Sequence, residues 1–204
     1  MSIFSAMKDL FRPQPLASRA QLKDFLESRA AYLVQKSMME YCQARANMLF
    51  STLLGEADFR AAYEHARWHA YPFAYAMVTE MAEGLLRPLC AGRTLDLHAA
   101  FLGIAREIFG AFPLPPQADA DFWQTALDTL DHDLGQAGLG PVKSWREIPD
   151  RHARRIFALL PIHDRLKSRD FSMFQNNLRF HLTEIGAEFE ERADLQRLAR
   201  DLLH

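Results

Sequence analysis

The sequence predicts an all-α protein: a single-domain helical bundle of six to eight helices, with a long N-terminal spine helix and a short amphipathic arm in front of it. Three observations carry this expectation. The helix formers Ala, Leu, Met, Arg and Glu are abundant, whereas a single Val occurs in the first 77 residues. Apolar residues recur at three- and four-residue spacing, and no stretch alternates apolar and polar positions for long. Helix start and stop signals, capping serines at one end and Pro/Gly clusters at the other, punctuate these periodic stretches. At 204 residues the chain is long enough to bury a full core without disulfides or a structural metal.

The elements follow in order. Residues 1–17 read as an amphipathic arm and a Pro-containing tether, and residues 18–204 as the bundle. Ser18-Arg19-Ala20-Gln21 fits a capping box, after which Leu22, Phe25, Leu26, Leu33, Tyr41, Met48, Leu49 and Leu53 describe one helix of about 35 residues ending at Gly55. A break near Lys36-Ser37 is compatible with this pattern. Asp58 is expected to cap a second helix to about Tyr71, where Pro72 removes a backbone donor and should kink or restart the chain before the run 73–90. Thr94 is expected to cap a fourth helix carrying Leu95, Leu97, Phe101, Ile104, Ile108 and Phe109, which the prolines at 113, 115 and 116 terminate in a surface crossover. A fifth helix spans about 119–136 and is broken by Gly138-Leu139-Gly140-Pro141. Beyond Ser144-Trp145-Arg146-Glu147, a second capping box, come a basic helix near 149–160, a short piece at 163–167, a helix over 171–192 with a bend at Gly186, and a last helix over 195–203.

What is missing excludes several functions. Residues 1–12 lack the pattern of a secretory signal, so the expected location is cytoplasmic. The densest apolar stretch, 70–81, is interrupted by Pro72 and Glu80 and falls short of a membrane span. Cys42 and Cys90, with no Cys-x-x-Cys, read as two reduced, buried thiols rather than a zinc ribbon or a redox motif. Gly-x-Ser-x-Gly, Gly-x-x-x-x-Gly-Lys and Gly-x-Gly-x-x-Gly are all absent, which argues against a serine hydrolase elbow and against nucleotide phosphate cradles. No complete catalytic constellation is present, and the balance leans away from an enzyme.

Four features remain as candidates. In the arm, Ile3, Phe4, Met7, Leu10 and Phe11 share one face, with Lys8 and Arg12 on others; the face can fill a partner's groove, lie on a membrane surface or fold onto its own bundle. His65 and His69 stand one turn apart, a spacing that chelates a divalent metal. Ala66 occupies the place of the zincin general base, however, and the Glu-x-x-His pairs of a di-iron bundle are out of order. A metal or redox site would need Glu40, His65, His69, Glu80 and His181 to converge. Charge is segregated although the whole chain has a net of −2: residues 117–136 carry five Asp and no cation, and residues 143–169 carry eight cations against three carboxylates. Arg151, Arg154, Arg155, Arg165, Lys167 and Arg169 suit an anionic partner, unless the acidic helix already faces them. Finally Trp68, Tyr71, Phe73 and Tyr75 crowd Pro72 as core, or as the mouth of a site for an apolar or haem-like ligand.

The expected function is therefore a non-catalytic protein that binds another macromolecule, most naturally a protein, through the apolar arm and the Arg-rich surface. Nucleic acid is the weaker partner because the chain is slightly acidic and carries no recognition motif. The alternative is a helical-bundle enzyme or carrier with a metal, haem or an apolar small molecule near His65 and His69.

Overall fold

The computed structural model describes residues 15–167 and 169–204. Nine α-helices form the described chain: α1 (Arg19–Ala46), α2 (Phe50–Gly55), α3 (Ala57–Leu86), α4 (Thr94–Ala111), α5 (Phe122–Leu139), α6 (Ala153–Leu159), α7 (Asp164–Lys167), α8 (Phe171–Arg192) and α9 (Leu195–Leu202). Three of these, α2, α6 and α7, are one or two turns long, which accounts for the excess over the expected six to eight. Among the described residues there is no strand, and the molecule is all-α, as the helical spacing predicts.

The first helix begins where the sequence places it. The Ser18 hydroxyl accepts from the Gln21 N–H at 3.3 Å, and the Gln21 side chain accepts from the Ala17 N–H at 2.9 Å. It does not run to Gly55 and does not break at Lys36-Ser37. It ends at Ala46, where Asn47 leaves the helical conformation with a positive φ of 48° and ψ of −128°, and a 3₁₀ turn over Asn47–Leu49 then leads into α2. Pro15–Ala17, assigned to the tether, are held in place: the Leu16 N–H donates to the Arg192 carbonyl, and the Asp194 N–H donates to the Leu16 carbonyl, both at 2.9 Å. Leu16 itself is buried.

Of the two outcomes expected at Pro72, a kink or a restart, the restart does not occur. α3 continues through it for 30 residues, and every residue from Ala74 to Gly84 is buried. A proline inside a helix removes one hydrogen bond and crowds the carbonyl four residues earlier. Here burial on all sides of the segment that follows outweighs that penalty. α3 is thus the central helix of the bundle, with α1 alongside it and α5, α6 and α8 packed around it. Two carboxylates on this buried stretch are each paired: Glu80 with Lys143 at 2.7 Å, and Glu83 with Arg87 through two bonds of 2.6 and 2.7 Å.

Smaller departures concern caps and register. Asp58 lies within the first turn of α3 instead of capping it, and Thr94 is the first helical residue of α4. Leu95, expected on the apolar face of α4, is largely exposed, while Leu97, Phe101, Ile104, Ile108 and Phe109 are buried. α5 begins at Phe122 and runs past Gly138 to Leu139. α8 spans Phe171–Arg192 as one helix through Gly186, and α9 is capped by Asp194, which accepts from the Arg197 N–H at 3.0 Å. One continuous hydrophobic core joins residues from Leu16 to Leu202.

Candidate functional site

His65 and His69 lie on the face of α3 one turn before Pro72, and their rings are 4.0 Å apart between centroids and tilted by 33°. The His69 ring also meets Phe122 of α5 at 4.9 Å. Nδ1 of His65 and Nε2 of His69 are buried without a hydrogen-bond partner among the described residues. Burial and then the neighbouring His65 hold the His69 pKa below its usual 6.5. The wider set that a metal site would need does not converge. Glu40 bonds His181 at 2.8 Å between α1 and α8, Glu80 is paired with Lys143, and both lie apart from the stacked imidazoles. Among the described residues no group of three or more His, Cys, Asp or Glu side chains could hold a metal ion.

Beside this pair a groove of about 320 Å³ opens between three helices. α3 contributes His69, Pro72, Phe73 and Ala76; α5 contributes Phe122, Ala126 and Leu130; α6 contributes Leu159 and the Arg155 side chain. The reason for the opening is local. Proline and alanine at positions 72 and 76 are short side chains on a helix face whose neighbouring turns carry aromatics, so α5 and α6 cannot close onto it. Thr125 and Thr129 line the α5 wall, and the Thr129 hydroxyl is occupied by the Thr125 carbonyl at 2.8 Å. The aromatic residues expected at a mouth near Pro72 divide: Phe73 walls this groove, Tyr75 is fully buried, and Trp68 and Tyr71 point to another face of α3, against Phe112.

The six basic residues fall into separate environments. Arg151 donates to the Asp133 carboxylate at 3.0 Å and to the Asp133 carbonyl at 3.1 Å. Lys167 is buried, with its ammonium near the carbonyls of Ala158 and Leu160 and 3.1 Å from Asp164. These two cations are committed within the fold and leave the expected contact surface. Arg154 lies over the Phe171 ring at 4.2 Å and Arg155 over the Phe73 ring at 5.5 Å; both are exposed, and neither has a carboxylate within ion-pair distance among the described residues. Arg165 and Arg169 are exposed nearby in sequence, the Arg165 N–H bonding to His163 at 3.2 Å. The arm residues Ile3, Phe4, Met7, Leu10 and Phe11 lie outside the described residues.

Charge pairing between the acidic and basic segments is seen at Asp133. Asp133 faces Arg151 and the fully buried His152, whose Nε2 stands 3.3 Å from the carboxylate. Asp131 is bonded to His98 at 2.7 Å and Asp128 to Gln124 at 2.8 Å, away from the arginines. Sequence reasoning did not find the His152–Asp133 pair, because a lone His inside a basic run gives no signal of burial. Nor did it assign Ala126, Leu130 and Leu159 to a binding surface, since an amphipathic face looks the same whether a neighbouring helix covers it fully or in part. Comparison with known protein families, with curated proteins and with solved structures gives no match.

Proposed function

We propose that this chain is a non-catalytic binding protein whose partner is another protein, engaged through the face that carries Arg154 and Arg155. One observation carries the reading: Arg155, exposed and without a carboxylate among the described residues, stands at the rim of the apolar groove formed by Pro72, Phe73, Phe122, Leu130 and Leu159. An apolar floor with a guanidinium at its edge is complementary to a partner segment that alternates apolar and acidic side chains. Each guanidinium rests over a ring, and its planar set of N–H donors suits a carboxylate. Elsewhere the fold matches many of its arginines internally: Arg19, Arg29, Arg45, Arg67 and Arg87 each reach a carboxylate. Arg165 and Arg169 are proposed to belong to the same contact surface, and the apolar arm, which lies outside the described residues, is proposed as a separate apolar contact. A cytoplasmic setting is supported by the two free, buried thiols, with Cys42 pushed up to about 12 by burial and therefore inert.

A second reading rests on the same groove. With His69 on its wall and a volume in the range of small-molecule sites, it can instead hold an apolar small molecule, which would make the protein a carrier. One experiment separates the two. Protein isolated under mild conditions is divided for identification of co-purifying protein and for solvent extraction, and the binding constant of the identified partner is then measured for wild type and for R154E/R155E. The proposal expects a defined partner whose affinity falls at least about tenfold in the variant, as for loss of desolvated charge contacts. Unchanged affinity overturns it. A stoichiometric apolar molecule in the extract, with no protein partner, establishes the carrier.

A further inference from the structure

A second concavity, of about 440 Å³, lies on the other side of α3, between that helix and α1. We propose that it is a binding site for a small organic cation, a primary or secondary amine on an aromatic or branched apolar body. Three independent features converge there. Ala31 and Val34 of α1, Trp68 and Tyr71 of α3 and Phe112 at the end of α4 give it apolar and largely aromatic walls. Trp68 and Phe112 meet edge to face at 5.7 Å and Tyr71 and Phe112 at 5.5 Å, so the walls are braced against one another.

The second feature is charge. Asp24 and Glu27, three residues apart and thus on one face of α1, both line the groove, and neither has a cation within ion-pair distance among the described residues. The one cation that lines it, Arg67, is matched by Glu64 through bonds of 2.6 and 3.1 Å and rests over Trp68 at 5.6 Å. The groove is left with two carboxylates that have no ion-pair partner among the described residues, in a lining that also contains Trp68, Tyr71 and Phe112. Carboxylates and the negative face of an aromatic ring both attract a cation.

The third feature is a buried polar group with nothing to bond. Tyr71 is 6% exposed, and its hydroxyl has no hydrogen-bond partner among the described residues. Buried hydroxyls are ordinarily bonded. Burial, Tyr75 and then the Glu27 carboxylate raise its pKa, so it remains a neutral phenol; its oxygen is closed off from solvent in this structure, and a small turn of the ring as the ligand enters lets it accept from an ammonium N–H. The Ser28 hydroxyl at the same groove is already bonded to the Phe25 carbonyl at 3.2 Å, which leaves Tyr71 as the specific contact.

This site does not depend on the groove at Pro72, and the test keeps the two apart. The full chain is titrated calorimetrically with aryl-alkyl amines of one to three methylenes, and with the alcohols and carboxylates of the same carbon skeletons. Binding of at least one amine, at least tenfold tighter than its matched alcohol and with no binding of the carboxylate, is expected. D24N/E27Q, two substitutions at the surface of α1 whose folding is checked by circular dichroism, should weaken that amine at least tenfold, and Y71F severalfold. R154E/R155E should leave it unchanged. Equal binding of amine and alcohol, absence of binding by every amine, or amine affinity indifferent to D24N/E27Q overturns the proposal.

Discussion

His152 is fully buried, its ring lies 5.8 Å from Phe73 and nearly parallel to it, and the Asp133 carboxylate stands 3.3 Å from its Nε2. Removal from water disfavours the imidazolium, and the nearby Arg151, Arg155 and Lys143 disfavour it further; together they outweigh the pull of Asp133 and hold the pKa below 6.5. The sign of the consequence follows. An unfolded chain takes up a proton at this histidine as pH falls through about 6.5, whereas the folded chain does not, so stability present above 6.5 is lost on acidification. The urea midpoint of wild type should fall between pH 7.5 and 5, with a limiting slope of about 1.4 kcal/mol per pH unit for one proton. In His152→Phe that decline should flatten, with Arg151 still present to match Asp133. Parallel curves for the two proteins would show that the proton goes elsewhere. Because Phe73 rests on His152 on one side and walls the Pro72 groove on the other, the same residue joins the core to the proposed binding surface.

At the scale of elements, two helical glycines decide how the segment between α5 and α6 is held. A Cβ on Gly186 of α8 would stand 2.6 to 2.8 Å from three atoms of the Trp145 ring, whereas one on Gly84 of α3 would meet only the end of Val142 at 2.9 Å. Val142 is half exposed and can turn away; Trp145 is packed against the core and cannot. Gly186→Ala should therefore destabilise by about 1–3 kcal/mol through overpacking, despite the better helix propensity of alanine. Gly84→Ala should be near neutral, and Trp145→Leu in the Gly186→Ala background should recover part of the loss. Equilibrium urea denaturation of the variants checks all three, and equal effects at both glycines would contradict the assignment. The same contact explains what could be read in advance. The span of α8 was legible because apolar spacing is continuous from Phe174 to Phe189, but the approach of the Trp145 indole to Gly186 is tertiary and leaves no mark in the local pattern. At Pro72 the restart does not occur for a related reason: a local penalty is visible in sequence, whereas the burial that overrides it is tertiary. The shared face of His65 and His69 and the concentration of arginines around 154–155 were legible from spacing and charge, but whether those arginines are exposed was not. The grooves were not, because they arise where three helices diverge, and no single segment records that.

Across the whole molecule, α1 is strapped to its surroundings by carboxylates with depressed pKa values. Glu40 of α1, held down to about 2 by bonds from His181, Lys36 and Asn177 that overcome its desolvation, links to α8. Glu188 of α8 is lowered by Arg29 of α1 and by Arg192 against its own partial burial. Glu107 of α4 is lowered by Arg19 of α1, but that pair is exposed and open to screening by salt. A carboxylate with a lowered folded-state pKa contributes stability that is complete above its unfolded value, about 4.5, and is lost as pH falls toward the folded value. Acid should therefore act in two limbs, a shallow one from 6.5 that belongs to His152 with a smaller share from His69, and a steeper one below 4.5 that belongs to the carboxylates of α1 and α8. E40Q/E188Q should be less stable than wild type at pH 7 and should lose the lower limb while keeping the upper one. E107Q should leave both limbs close to wild type, and any difference should vanish in high salt. Chemical denaturation followed from pH 7.5 to 3 distinguishes these outcomes. If E40Q/E188Q retained the full lower limb, the α1–α8 contact would be held by its buried apolar residues, Leu22, Phe25 and Phe189 among them, with the ion pairs contributing nothing measurable.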